Sequence, residues 1–492
     1  WPNHPIRCLG IYVGNDKIAC KKLNWDDKIL DMQKLLDNWR KRDLTFFGKI
    51  TITKTLALSK IIYSAMNTSI PEGCPEKINK LIFNFLWNGK DRIKRNTMIG
   101  PLQQGGMDVP DIHSFFTSIK ASWVHRFING KNESWSAIAN CYLQKVGNDI
   151  AFKMSYTNQK SFPLIEELPV FYRQVLLSYN QSKPWIDNSE LDRKSSLNQI
   201  IWGNRLFNTM STKNKKHPIT LYYKNWIDEG IIYLRDLKIH NGKLDICYIL
   251  QKVKKKQNIY QEIYILQNSL HTMIRLIDFN NPTETDNEQT ESNIETQMSS
   301  RKYYSTLIER KFEKPTLIKW FQILATPNSD DIVLRAFFTK VVSIRNKKIA
   351  AFNFKVLHYI LATSSLVSKW NINVHPDCEI CHVKDNIQHL IYQCQLAQYV
   401  WTKIGNYLNK YILLRDVVLG VDDHELNYIY SFVAFTIYKM WCIENNNNPR
   451  NRTRIKLIQL LKNDICMEIQ TLKYQNINNS LKNHFEKILL YL

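Results

Sequence analysis

The sequence predicts a mainly α, multi-domain protein, and three observations carry that reading. Glycine and proline number only 15 each among 492 residues, too few for the dense turns of a strand-rich fold. Apolar side chains recur at helical spacing through most of the chain. Hydrophobic residues make up 44% and aromatics 12%, enough to fill packed cores over a length that suits several domains.

The run Ile6-Arg7-Cys8-Leu9-Gly10-Ile11-Tyr12-Val13-Gly14 reads as a strand with no earlier element to pair with. It looks like the remnant of a sheet whose other strands lie upstream, so a piece of a longer polypeptide is expected. Residues 25–87 read as three helices. Ile29, Met32, Leu35, Leu36 and Trp39 keep helical spacing, and Asn24 can cap the start. Phe46, Ile50, Ala57 and Ile61 line one face of the second, with Lys49, Lys54 and Lys60 mostly elsewhere. Beyond Pro71 and Pro75, the residues Ile78, Leu81, Ile82, Phe85 and Leu86 stripe a third helix that ends at Asn88-Gly89. Each stripe is assigned to core. Gly105-Gly106 then makes a tight turn into a helix around Ser114–Phe127, closing a bundle expected over 1–130.

Residues 131–279 are expected to form a helical connector without a chemical motif. Residues 280–300 hold Glu284, Asp286, Glu288, Glu291 and Glu295 with no Lys or Arg, which predicts a disordered acidic linker. Helices and a small metal segment follow over 301–405, then a helical tail over 406–492 broken at 445–451.

Lys and Arg outnumber Asp and Glu by 67 to 44, a net charge of +23. Such an excess calls for an anionic partner, and RNA, DNA or an RNA–DNA hybrid is the default. Residues 1–130 alone carry 20 basic against 11 acidic side chains. Arg40, Arg42, Lys49, Lys54, Lys90, Arg92, Lys94 and Arg95 are the candidate phosphate contacts, expected on one broad side of the N-terminal bundle. No apolar run is long enough to span a bilayer and no signal peptide is evident, so no membrane partner is expected.

Cys378, Cys381, His389 and Cys394 form the pattern C-x2-C-x7-H-x4-C. Three thiols and an imidazole match a closed tetrahedral Zn²⁺ set, a structural role that leaves no position for reactive water. His389 and Cys394 suit the first turns of a helix carrying two of the ligands. The other seven of the ten cysteines are scattered, which fits a reducing compartment. Asp26-Asp27, Asp330-Asp331 and Asp422-Asp423 each read as a helix start rather than a two-metal centre. With no nucleotide-binding loop, zinc-protease motif or catalytic triad in view, the chain is not expected to be catalytic by itself.

The order of several short runs resembles the C-terminal half of a non-LTR, long-interspersed-element-like retrotransposon reverse transcriptase. These runs are Leu9-Gly10, Leu36-Asp37-Asn38-Trp39-Arg40 and the stretch from Leu44 to Ile50. They continue with Phe83-Asn84-Phe85-Leu86-Trp87-Asn88-Gly89-Lys90 and Gly105-Gly106-Met107-Asp108-Val109-Pro110-Asp111, then Trp370 and the Cys378–Cys394 segment. The resemblance is best over 1–130 and 315–405. It implies a thumb that clamps template–primer, connecting helices, and a zinc-binding segment that helps hold RNA or target DNA. The catalytic Asp-Asp turn of such enzymes would lie in an upstream fingers–palm region of the same polyprotein, and an intracellular ribonucleoprotein, nuclear and cytoplasmic, would be the setting. The Cys381–His389 gap is slightly short for the family, and its acidic-threonine stretch reads here Lys384-Asp385-Asn386. A stand-alone zinc-containing nucleic-acid-binding protein derived from such an element is the competing reading.

Overall fold

The computed structural model describes residues 4–130, 133–156, 158–183, 196–210, 218–240, 243–254, 257–270, 299–369, 371, 374–447, 452–474 and 479–492. The fold is mainly helical, and among the described residues the strands pair only in twos. The predicted acidic linker and Trp370 fall almost wholly or wholly outside those residues, as does most of the break at 445–451.

The opening run is not a lone strand. Strands β1 (Ile6–Cys8) and β2 (Ile11–Val13) pair with each other, Ile6 opposite Val13 and Cys8 opposite Ile11. Leu9 and Gly10 turn between them at φ 47° and 84°. Two positive φ values in a two-residue loop match the twist of a hairpin. Asn24 is likewise no helix cap. Its amide bonds Tyr12 reciprocally, accepting from the backbone N–H at 2.9 Å and donating to the carbonyl at 2.7 Å. The helix had already begun at Lys17, where Asp16 accepts from Ile18 and Ala19.

Helix α1 (Asp27–Arg40) buries Ile29, Met32 and Leu36 as their spacing requires. Thr45 caps α2 (Phe46–Ile52) by accepting from Gly48 N–H, and a wide turn over Thr53–Ala57 leads on to α3 (Ser59–Asn67). Helix α4 (Cys74–Trp87) buries Ile78, Ile82, Phe85 and Leu86, then stops at Asn88 and Gly89 with φ 53° and 150°. Asp111 caps α5 (Ile112–Ala121) through Ser114 N–H. Farther on come α6 (Val170–Ser182), α7 (Ile259–Ser269), α8 (Lys347–Leu357) and α9 (Gln395–Leu408), and finally α10 (His424–Asn447) and α11 (Arg454–Tyr474).

Two compact units divide the chain, and neither is continuous in sequence. The first takes residues 1–35, 57–81 and 111–311; the second takes 36–56, 82–110 and 312–492. Residues 1–130 therefore contribute to both. The first unit holds one core around Phe127, Phe152, Phe162 and Tyr303, and another around Trp202, Trp226, Ile249 and Ile263. Its Lys120 is fully buried, donating to the Thr68 carbonyl at 2.7 Å with the Phe171 ring 4.1 Å away. The second unit buries Phe354, Trp401, Ile429 and Val433, and includes Lys340, whose Nζ donates to Ser431 at 2.8 Å.

Candidate metal centre

The metal segment begins with a tight loop. Asp377 bridges Lys384 across antiparallel backbones, and Cys378 N–H donates to the Val383 carbonyl at 2.8 Å. His382 N–H returns to the Cys378 carbonyl at 2.8 Å, with His382 itself at φ 54°. That turn brings Cys378 and Cys381 to one side, as a Cys-x2-Cys spacing allows.

The other two donors come from an unusual turn. His389–Gln393 form a π-type turn in which Cys394 N–H donates to the His389 carbonyl at 2.7 Å. Five residues of α-helix would rotate Cys394 about 140° away from His389. The wider turn removes most of that rotation, which corrects the expectation of an ordinary helical start. Cys394 then stands at the head of α9 with ψ 139°. Asn386 caps the turn by accepting from His389 N–H at 2.9 Å, while Trp401 Nε1 donates to the Ile391 carbonyl at 2.8 Å.

The donor atoms of Cys378, Cys381, His389 and Cys394 all lie within 4.8 Å of one another. Cys381 and Cys394 sulfurs are 3.8 Å apart. Cys378 is 3% exposed and His389 4%. The His389 Nε2 atom is buried with no hydrogen-bond partner, which is unfavourable for a polar atom unless something else satisfies it. The hydrogen bond from Cys394 draws the Cys378 thiol below its usual value, and the same bond, with burial, pushes Cys394 above its own. Three soft thiols and an imidazole, buried and converging, fit Zn²⁺ better than a hard oxygen-seeking cation. Among the described residues no other group of three or more His, Cys, Asp or Glu side chains converges in this way.

Asp385, which the sequence offered only as a departure from a family pattern, is a structural centre of the loop. Its carboxylate is 2% exposed and accepts from Ser364 Oγ at 2.7 Å and Trp441 Nε1 at 3.0 Å. It thereby ties the loop between the two ligand pairs to α10. No sequence signal marked Trp441 as its partner.

All eight predicted basic residues fall in the second unit, the one that also carries the metal segment. Arg42, Lys54, Lys90, Arg92, Lys94 and Arg95 are exposed. Lys94 pairs with Glu313 at 2.7 Å and Arg95 with Asp91 at 2.7 Å. Arg40 reaches Asp37 at 3.0 Å. Lys49 points inward: its Nζ donates to the Leu86 carbonyl at 3.0 Å, and burial lowers its pKa. The aspartate pairs take local roles. Asp330 and Asp331 open a helix, Asp423 accepts from Glu425 and Leu426 N–H, and Asp422 pairs with Arg335. Asp26 and Asp27 do not start a helix, contrary to the sequence expectation: the helical run from Lys17 passes through the wide turn Lys22–Asp26 straight into α1.

Residues 320–401 match the family described as zinc-binding in reverse transcriptase. A protein of Arabidopsis thaliana named as a ribonuclease H protein is 25% identical over 129 residues, 24% of this chain and 20% of its own length. The uncharacterized 149 kDa protein of transposon TX1 of Xenopus laevis is 22% identical over 192 residues, 37% of this chain and 14% of its own length. The chain thus spans a fifth or less of these relatives. Among its described residues no helix is long and apolar enough to cross a membrane.

Proposed function

We propose that this chain, which resembles the C-terminal region of a retrotransposon reverse transcriptase, holds RNA, DNA or their hybrid for a polymerase centre carried elsewhere. Cys378, Cys381, His389 and Cys394 would hold one Zn²⁺ in a structural role. The ion would supply cross-linking of the loop to α9, not chemistry on a substrate. In the same compact unit, the exposed members of the basic set would contact phosphates, with Lys49 serving as an internal prop for α4. One observation carries this reading: two basic segments far from the metal segment in sequence fold into the same compact unit with it. Backbone contacts made by lysine and arginine supply affinity without reading sequence. The proposed setting is an intracellular ribonucleoprotein.

Metal analysis of the purified chain, combined with salt-dependent binding of an RNA–DNA hybrid, tests the proposal. One zinc per chain is expected, lost in Cys378→Ser and His389→Ala. Affinity is expected to fall at least about tenfold between low and physiological salt, with a shallower slope in the Arg92→Gln, Lys94→Gln, Arg95→Gln triple variant. A chain that purifies without zinc, or binding indifferent to salt, would overturn it.

A further inference from the structure

Helix α7 buries Ile259, Ile263 and Leu266 in the second core of its unit. A neighbouring face, about 100° round the helix, shows Tyr260 and Tyr264, each 68% exposed. They lie one turn apart, about 6 Å along the helix axis, so their rings form a single stripe. The core itself does not call for them, since Trp202 and Trp226 already fill it at 0% exposure. Two large rings on consecutive turns are left facing water.

The surrounding charge has a direction. Residues 221–270 carry eight Lys or Arg against five Asp or Glu, and the acidic groups are largely engaged internally. Asp236 accepts from Ile232 and Tyr233 N–H at 2.8 and 2.7 Å, Asp245 from Tyr248 N–H at 2.9 Å, and Glu262 from Trp226 Nε1 at 2.6 Å. The lysines face outward: Lys238, Lys243 and Lys254 are exposed. Lys254 reaches Glu229 at 3.6 Å while staying 85% exposed. Lys252 and Lys254 stand a few residues ahead of α7.

We propose that the Tyr260–Tyr264 stripe, with the exposed Lys243 on the strand packed against α7 and Lys254 just before the helix, binds single-stranded nucleic acid. Unpaired bases stack on the two rings, and the lysines answer the phosphates. A duplex would satisfy only the lysines, because its base faces are already stacked on each other. This surface belongs to the first unit, apart from the Cys₃His group, and does not rest on the metal reading.

The test uses the full chain and a short oligouridine carrying 5-bromouridine. Ultraviolet crosslinks should map to the peptide bearing Tyr260 and Tyr264, a readout that needs no variant. In fluorescence anisotropy, the Tyr260→Ala, Tyr264→Ala double variant should bind the oligonucleotide at least about tenfold more weakly. The Tyr260→Phe, Tyr264→Phe variant should bind as wild type, and neither change should alter duplex affinity. Crosslinks confined to other peptides, unchanged affinity in the alanine variant, or equal losses in the phenylalanine variant would each overturn the proposal.

Discussion

Asp385 shows how much one side chain can organise. A buried carboxylate is costly unless hydrogen-bond donors meet it. Here the Ser364 hydroxyl and the Trp441 indole both donate to Oδ2, and both donors are themselves buried. Asp385→Ala strands the Trp441 indole and the Ser364 hydroxyl, and should destabilise the fold by about 2–3 kcal/mol. A urea titration checks this, and a loss below about 0.5 kcal/mol would contradict it. The two buried lysines give a pH signature. Burial lowers both Lys120 and Lys340 from 10.5 to about 7. Between those values the unfolded chain binds protons that the folded chain does not, so stability should rise as pH climbs from about 7 towards 10.5. Below the folded value both states are charged and the burial penalty is fully felt. The gain should be on the order of 2 kcal/mol per lysine across two pH units. Lys340→Met should flatten that rise in denaturation midpoints measured across the range, whereas an unchanged slope would contradict the burial argument.

At the scale of elements, the loop 98–109 depends on absent side chains. Met107 and Val109 N–H both donate to the Met98 carbonyl at 3.1 Å, folding the loop on itself. A Cβ on Gly106 would lie 2.0 Å from the Gly100 carbonyl oxygen, a backbone atom that cannot swing aside. Gly105 sits at φ 89°, and its carbonyl meets His358 Nε2 of the segment after α8 at 2.9 Å. Burial lowers His358 to about 4, so near neutral pH the imidazole is uncharged and donates through Nε2–H. Gly106→Ala should cost at least about 3 kcal/mol, seen as a lower denaturant midpoint with the slope retained. A tolerated alanine would show that the loop can re-route. The π-type turn at 389–393 is the other element whose geometry matters more than its length. Deleting one residue from it would rotate Cys394 off the metal group.

At the scale of the whole chain, the net charge of +23 favours any polyanion, so affinity alone identifies nothing. Activity discriminates better. Phosphoryl transfer of this kind needs metal-bound carboxylates converging on the primer hydroxyl, and Asp423 instead caps α10 while Asp422 pairs with Arg335. The isolated chain should extend no primer with any divalent cation. Extension that disappears in Asp422→Asn or Asp423→Asn would reveal a catalytic centre in this chain. Asp423→Asn should otherwise leave nucleic-acid affinity unchanged, with at most a small loss of stability at the start of α10.

The sequence by itself determined what depends on near neighbours. Apolar spacing marked the buried faces of α1, α2 and α4 because helical contacts recur every three or four residues. The Cys₃His donors were readable for a similar reason, since all four sit inside one short segment. The hairpin at Ile6–Val13 escaped because its turn was read as part of one strand, although Leu9-Gly10 lay in view. Only the tertiary structure decided the rest. Asp385 meets Trp441 across 56 residues and His358 meets Gly105 across 253, and no local pattern encodes such partners. The same holds for Lys49, whose spacing suggested a free cation until α4 offered it a carbonyl. The grouping of 36–56 and 82–110 with 312–492 follows from how apolar faces find cover along a returning chain, a choice made by packing rather than by sequence proximity.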